Sequence, residues 1–389
     1  MAATSCTPPP MTYEAIDEET IPNYSPNDYH STHPGQVLND NTAAAEHELK
    51  VSQRISTANS SHLGASYIRV PIDNFQIDGS HGKHICLVYQ PMRETLYDSG
   101  ADLRTSDFRR ISLSFMLLSC YKDSTTFIQS AISFIQASFQ YLKDDNILVN
   151  LESESVLEDF IQQQRQIPLR QHATNDDHIT YLSQCDFGPL RDYFILPEIA
   201  DLDMAQFGDG PIRIHPVQPH RYRALEVILG TGWSYSADIW NIGVLIWNMM
   251  EDKDLFTNLK DEQGHYNVHA HLAQMIALFG PPPKVLLERE RSFRKWSFIP
   301  EIQNPKGQSC RNAFQYFGGP FFDDNGEFIR KNLIPQHLRI ADTVTLFQGE
   351  EKQQFLEFVS KMLQWQPENR STAKDLLEDP FLQLGDEAH

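Results

Sequence analysis

From about residue 108 onward the chain is dominated by apolar side chains spaced for helices. The clearest stretches are SADIWNIGVLIWNMME (236–251), VHAHLAQMIALFG (268–280), KQQFLEFVSKMLQ (352–364) and TAKDLLEDPFLQL (372–384). Upstream the pattern changes. AAAEHELKVSQRIS, from Ala43, holds good helix formers with Leu49, Val51 and Ile55 on roughly one side. YIRVPIDNFQIDG and KHICLVYQPM follow as two strands joined by the turn DGSHG. No internal repeat is visible. The layout predicts an α+β protein with a small strand-bearing lobe followed by a large helical one.

The 389 residues, 40% of them hydrophobic, are enough for one large domain or two ordinary ones. Lys and Arg number 32 against 52 Asp and Glu, a formal charge of -20, which disfavours nucleic-acid backbones and favours basic partners. Cys6, Cys86, Cys120, Cys185 and Cys310 form no CxxC pair, so a reducing compartment without disulfides or a zinc site is expected. The polar, acidic start is unlike a secretory signal, and the apolar run ISLSFMLLSC is too short to span a bilayer. Residues 1–36, rich in Pro, Ser, Thr and acid, read as a disordered tail.

Candidate chemistry lies in two places. QYLKDDNILVN (140–150) has the spacing of a phosphoryl-transfer loop, with Lys143 and Asn146 in place, but Tyr141 stands where a catalytic Asp belongs. IADLDMAQ puts Asp201 after an apolar strand. Phosphoryl transfer needs cations against phosphates, carboxylate or amide oxygens for Mg²⁺, and a carboxylate near the attacking hydroxyl. Asp201 and Asn146 would be the metal ligands, and Lys143 would sit against the transferred phosphate. The plainer alternatives are a strand-end turn residue for Asp201, a solvated lysine for Lys143 and a helix or turn cap for Asn146.

Together with RYRALEVILGTGWSYSADIW and ENRSTAKDLLEDPFL, these segments fall in the order and spacing of a protein kinase. Ala224, Leu225 and Glu226 occupy the Ala-Pro-Glu position. Asp238 is the anchor Asp of the central helix, and Arg370 is the expected partner of Glu226. Finer features resemble the SR-protein kinases of the CMGC group, especially fungal ones, over nearly the whole chain. These are YSPNDYHSTHPGQ, GSHGKHICLVYQPM, Arg223 after Tyr222, and HLAQMIALFGPPP.

The resemblance implies a two-lobed fold, ATP with Mg²⁺ as cosubstrate, and Arg/Ser-rich splicing factors as substrates. It further implies a monomer of cytoplasm and nucleus without nucleic-acid or membrane partners. Tyr89, Gln90 and Met92 would be nucleotide contacts at the hinge. Glu48 would be either the helix Glu that pairs with the phosphate-binding Lys or, without that Lys, a surface acid. Glu251, Asp252, Asp254, Asp261 and Glu262 would dock Arg-rich segments, or would simply form a solvated loop. The divisions expected are an incomplete N-lobe and hinge at 37–92, a C-lobe at 93–385 and a tail at 386–389. A non-catalytic pseudokinase scaffold is the alternative. A small-molecule kinase is disfavoured by Arg223 and the long helical insert.

Two departures from the family pattern are severe. Between VLND (37–40) and Ala43 there is no room for the first three strands, which carry the Gly-rich loop and its Lys, and no GxGxxG occurs in the chain. In addition, KDSTTFIQSAISFIQ (122–136) carries none of the family's residues. Codons exist for it that, re-read from each last base into the next two, spell Gly-Leu-Asp-Tyr-Leu-His-Ser-Glu-Cys-His-Phe-Ile-His-Thr, the helix and loop a kinase would show. Residues from about 99 to 141 are therefore read as out of frame, and the missing strands as a skipped exon. Asp203 replaces the usual Gly of the metal-ligand triplet, which removes backbone freedom there.

Overall fold

The computed structural model describes residues 11–12, 43–57, 67–79, 82–95, 142–166, 171–173, 179–181, 186–191, 196–202, 205 and 212–383. Tyr141, Asp203, nearly all of residues 1–36, and residues 99–140, read above as out of frame, lie outside them.

The main described elements of the N-terminal part are a helix and a hairpin. Helix α1 (Ala43–Thr57) buries Val51, Ser52 and Ile55, so its apolar stripe faces inward as the spacing predicts. Strands β2 (Asp73–Gly79) and β3 (Gly82–Val88) pair antiparallel from Asp73↔Val88 to Gly79↔Gly82. A second sheet holds the site. Strand β4 (Met92–Thr95) pairs with β5 (Ile147–Asn150), and β5 pairs antiparallel with β8 (Pro197–Ile199). A two-residue β1 (Met11–Thr12) lies against β6 (Gln171–Ala173), which pairs with β7 (Ile179–Tyr181). A helix not foreseen from spacing, α2 (Glu154–Gln166), buries Val156.

The C-terminal part is helical. Helices α3 (Leu225–Leu229) and α4 (Ser236–Glu251) lead into α5 (Val268–Phe279) and α6 (Lys284–Phe293), with α7 (Gly349–Ser360) packed near the end. Helix α4 is apolar on every side and correspondingly buried on every side, from Ala237 through Asn248. Gly243 lets the chain after α7 come close, because a Cβ there would stand 2.9 Å from Met362 Cβ and Leu363 Cδ2. Helix α5 begins where Asn267 accepts from Ala270 N–H and ends at Gly280, φ 78°. The expected last helix is in fact two, α8 (Ala373–Leu377), opened by a Thr372–Asp375 capping box, and α9 (Pro380–Gln383). Pro380 causes the break: it has no N–H to continue the first helix but suits the opening of the second. Among the described residues no helix is long and apolar enough to cross a membrane.

Candidate active site

The register of β5 against β8 builds the site. Ile147 faces Ile199, and one step beyond, Ala200 N–H donates to the Asn146 carbonyl at 2.9 Å. This brings the next residue, Asp201, beside Asn146, and Asn146 Nδ2 donates to Asp201 Oδ2 at 2.7 Å. Asp201 has φ 62°, the left-handed region that Asp tolerates better than most residues and that recurs at functional sites. The carboxylate and amide that the sequence separates by 55 positions therefore meet.

Lys143 precedes the single turn Asp144–Asn146, with Leu142 buried behind it at 1% exposure. Its Nζ lies 2.8 Å from Asp145 Oδ2, and both side chains are partly open to solvent. Such a pair is worth about 0–1 kcal/mol, so an arriving phosphate would compete for Lys143 at little cost. Burial, then Asp145, pushes the Asp144 carboxyl above the ordinary carboxylate range. The Tyr222 hydroxyl donates to Asp144 Oδ1 at 3.3 Å. Tyr222 itself is buried, and burial raises its phenol above the ordinary value.

The loop entering α3 is fixed by Arg223. Its Nε donates to the Val217 carbonyl at 3.0 Å and its Nη2 to the Gln218 carbonyl at 2.7 Å. Gln218 takes φ 68° and spans from Ala237 O to Ala224 N–H. The expected Glu226–Arg370 pair forms, bidentate at 2.6 and 2.8 Å, with both side chains at 0% exposure. Arg370 also donates to the Ser236 and Gln364 carbonyls and lies 5.1 Å over the Trp240 ring, so the buried charges are fully engaged. Asp238 is buried, which pushes its carboxyl well above the usual range.

At the hinge, Tyr89 directs its hydroxyl to Glu48 Oε1 at 2.6 Å. Glu48 is thus neither paired with a lysine nor a bare surface acid. Gln90 is exposed, and its backbone carbonyl accepts from Arg69 Nη2 at 3.2 Å. Met92 is buried at 9% and opens β4, paired with Asn150.

The acidic stretch divides. Glu251 is withdrawn from the docking set: it is 5% exposed, and its carboxylate accepts from Thr345 N–H, Thr345 Oγ1 and Leu346 N–H at 2.6–3.1 Å. It closes the core end of α4. Asp254 is held by Arg221 at 2.6 Å, and Asp261 accepts from the Gln263 and His265 backbone, while Asp252 and Glu262 are exposed.

A literal Asp-Phe-Gly triplet at 186–188 is used differently. Asp186 accepts from Gly188 N–H, Phe187 stacks on Phe160 at 4.6 Å, and the Gly188 carbonyl accepts from Arg93. Arg93 is buried in an ion pair with Glu152 at 2.8 Å and so clamps this segment to β4. Contact with Asn146, rather than the triplet's spelling, singles out Asp201.

The Asn146–Asp201 pair fits Mg²⁺, a hard cation held by one or two carboxylates and completed by water and phosphate oxygens. The remaining oxygens of the two side chains would be its protein ligands. The phosphate side fits less well: the Glu48 contact that would anchor a lysine is taken by Tyr89.

Comparison with known proteins agrees with this geometry. Residues 194–382 match the protein kinase domain family. The chain is 30% identical over 337 residues to a serine/threonine protein kinase of Aspergillus fumigatus, covering 86% of this chain and 74% of that one. It is 27% identical to the serine/threonine-protein kinase SRPK of Physarum polycephalum, over 87% of this chain and 76% of the other. Against the serine/threonine-protein kinase AFC3 of Arabidopsis thaliana the identity is 25%, over 77% and 63%. A crystal structure of a kinase domain superposes with a TM-score of 0.53 at 18% identity, covering 87% of this chain and 83% of that one, a likeness of fold. The chain belongs to the protein kinase family, and the relatives just named are serine/threonine kinases. Members of this family use ATP and Mg²⁺.

Proposed function

We propose that this chain is a serine/threonine kinase of the SR-protein kinase type, built to pass the γ-phosphate of ATP to Ser in Arg/Ser-rich splicing factors, and catalytically silent in its present form. The observation that carries the reading is the assembled half-site: Asn146 on Asp201 with Lys143 alongside, in a chain whose sequence puts Tyr141 at the base position. Mg²⁺, when bound, would neutralise phosphate charge. Asn146 and Asp201 would orient it, and Lys143 would exchange Asp145 for a phosphate oxygen. Without a carboxylate at 141, general-base help worth about 10²- to 10⁴-fold is lost. Transfer of labelled phosphate from ATP to an Arg/Ser peptide should stay at background, and Tyr141→Asp alone should not restore it, because the lysine-bearing strands remain missing. Robust transfer by the unaltered chain would sink the silent part of the reading. A cytoplasmic and nuclear location follows from the same proposal.

A second reading, a scaffold that binds Arg/Ser segments without chemistry, is favoured by the exposed Asp252 and Glu262 and by Asp254 already holding a guanidinium, that of Arg221. Carboxylates meet the planar donor fork of Arg in charge-assisted pairs that salt screens. Titration with an Arg/Ser peptide should show binding that weakens steeply as salt rises and falls further in Asp252→Asn/Asp254→Asn. Affinity indifferent to both would remove the acids from the account.

A further inference from the structure

Helix α1 is held on its polar side at two points. His47 Nε2 lies 2.6 Å from the carbonyl oxygen of Ala205, just past Asp201. Glu48, the next residue, receives the Tyr89 hydroxyl at 2.6 Å, a bond spanning 41 positions that joins the helix to the end of the hairpin. The Tyr89 ring is held in turn. The Arg69 guanidinium lies 4.4 Å over it while donating to the Gln90 carbonyl, and the Arg69 backbone N–H donates to Ile199 at 2.9 Å. Helix, hairpin and the strand leading to Asp201 are thus connected through one phenol. We infer that Tyr89 is a positioning residue: its hydroxyl keeps helix α1 docked on the hairpin through Glu48, in the role an ammonium would fill in a lobe that carried a phosphate-binding lysine. The phenol suits the task because burial and the Glu48 carboxylate both favour its protonated form, so it stays a donor. A short O–H bond to a carboxylate is among the stronger kinds available to a protein. The inference goes beyond the proposed function, since it holds whether or not the chain transfers phosphate or binds Arg/Ser segments.

The test is amide hydrogen exchange on the full chain, comparing α1 with α4. Tyr89→Phe keeps the ring under Arg69 and removes only the hydroxyl. Glu48→Ala removes the acceptor, and Glu48→Gln leaves an oxygen for Tyr89 to bond. Tyr89→Phe and Glu48→Ala should each speed exchange in α1 by about 10- to 100-fold, with α4 unchanged. Glu48→Gln, which keeps both the shape and an acceptor oxygen, should restore most of the protection, while Tyr89→Phe, which keeps the ring, separates the hydrogen bond from packing. Unchanged exchange in Tyr89→Phe would overturn the inference. So would a Glu48→Gln chain as open as Glu48→Ala, a loss spreading equally to α4, or an α1 already unprotected in the unaltered chain.

Discussion

Residues 212–383 run without a break through helices that share one core, where Trp240, Phe355, Phe358 and Phe381 are fully buried. Among the described residues before 95 the main elements are one long helix and one hairpin, and the buried apolar side chains among them are Val51, Ile55, Ile68, Ile85 and Met92. The polar locks differ as well. The C-terminal region closes on a bidentate Glu226–Arg370 pair at 0% exposure, whereas the Tyr89 hydroxyl that ties α1 to the end of the hairpin makes one bond to Glu48, partly open to solvent. The large part of the molecule has its own reasons to fold, and the small part leans on it.

The sharpest way to break that contrast is Arg370→Ala. Leaving the Glu226 carboxylate buried and alone should cost about 3–5 kcal/mol in urea unfolding. If the loss is under about 1 kcal/mol, the core does not depend on its polar lock. Ile55→Ala is the matching change in the small region, expected to cost about 2–5 kcal/mol. That cost should appear as easier local opening of α1, with the main unfolding transition unmoved. A main transition that falls in step would make the two regions one cooperative unit.

Acid gives the mildest probe. His271, buried against Tyr266 and facing Arg223 and His220, is held well below the ordinary imidazole value by burial and then by Arg223 and His220. Burial, Arg223 and Lys260 bring His220 to about 4. Above pH about 6.5 both states carry neutral imidazoles and nothing is lost. As pH falls from there towards 4, the unfolded chain takes up protons that the folded one refuses, so stability drops. Unfolding midpoints read at intervals across this window should decline, and His271→Asn, which preserves an acceptor for Tyr266, should flatten the decline. An identical slope in the variant would assign the loss to other groups.

What the sequence made legible follows the same division. The spacing in α4, α5 and α7 is long and regular, so helix type could be read directly, and Glu226, Asp238 and Arg370 lay in an order that fixed their relation before any contact was known. Strands β2 and β3 were readable because a tight turn sets their register. The contacts that stayed hidden are those whose partners come from far along the chain. Glu251 looks like its acidic neighbours in sequence, and only the return of Thr345, 94 positions later, shows that it faces the core. The Tyr89–Glu48 bond could not be read because spacing reports position along a strand and not the direction of a hydroxyl. Helix α2 was passed over because eight of its thirteen residues, ESVLEDFIQQQRQ, are charged or glutamine, which leaves a thin apolar stripe.

The Glu226–Arg370 bond also bears on how the chain is made. It joins residues 144 positions apart, a closure whose length-dependent entropy is about 4 kcal/mol. A ribosome delivers Glu226 long before Arg370. Through that interval α3 and α4 exist with a carboxylate that has no guanidinium, and burying it then would be strongly unfavourable. The helical lobe therefore cannot settle progressively from its N-terminal side. It waits for Arg370, and a ribosome that stops short of that residue releases a chain whose apolar central helix can be buried only with an unpaired Glu226 carboxylate beside it.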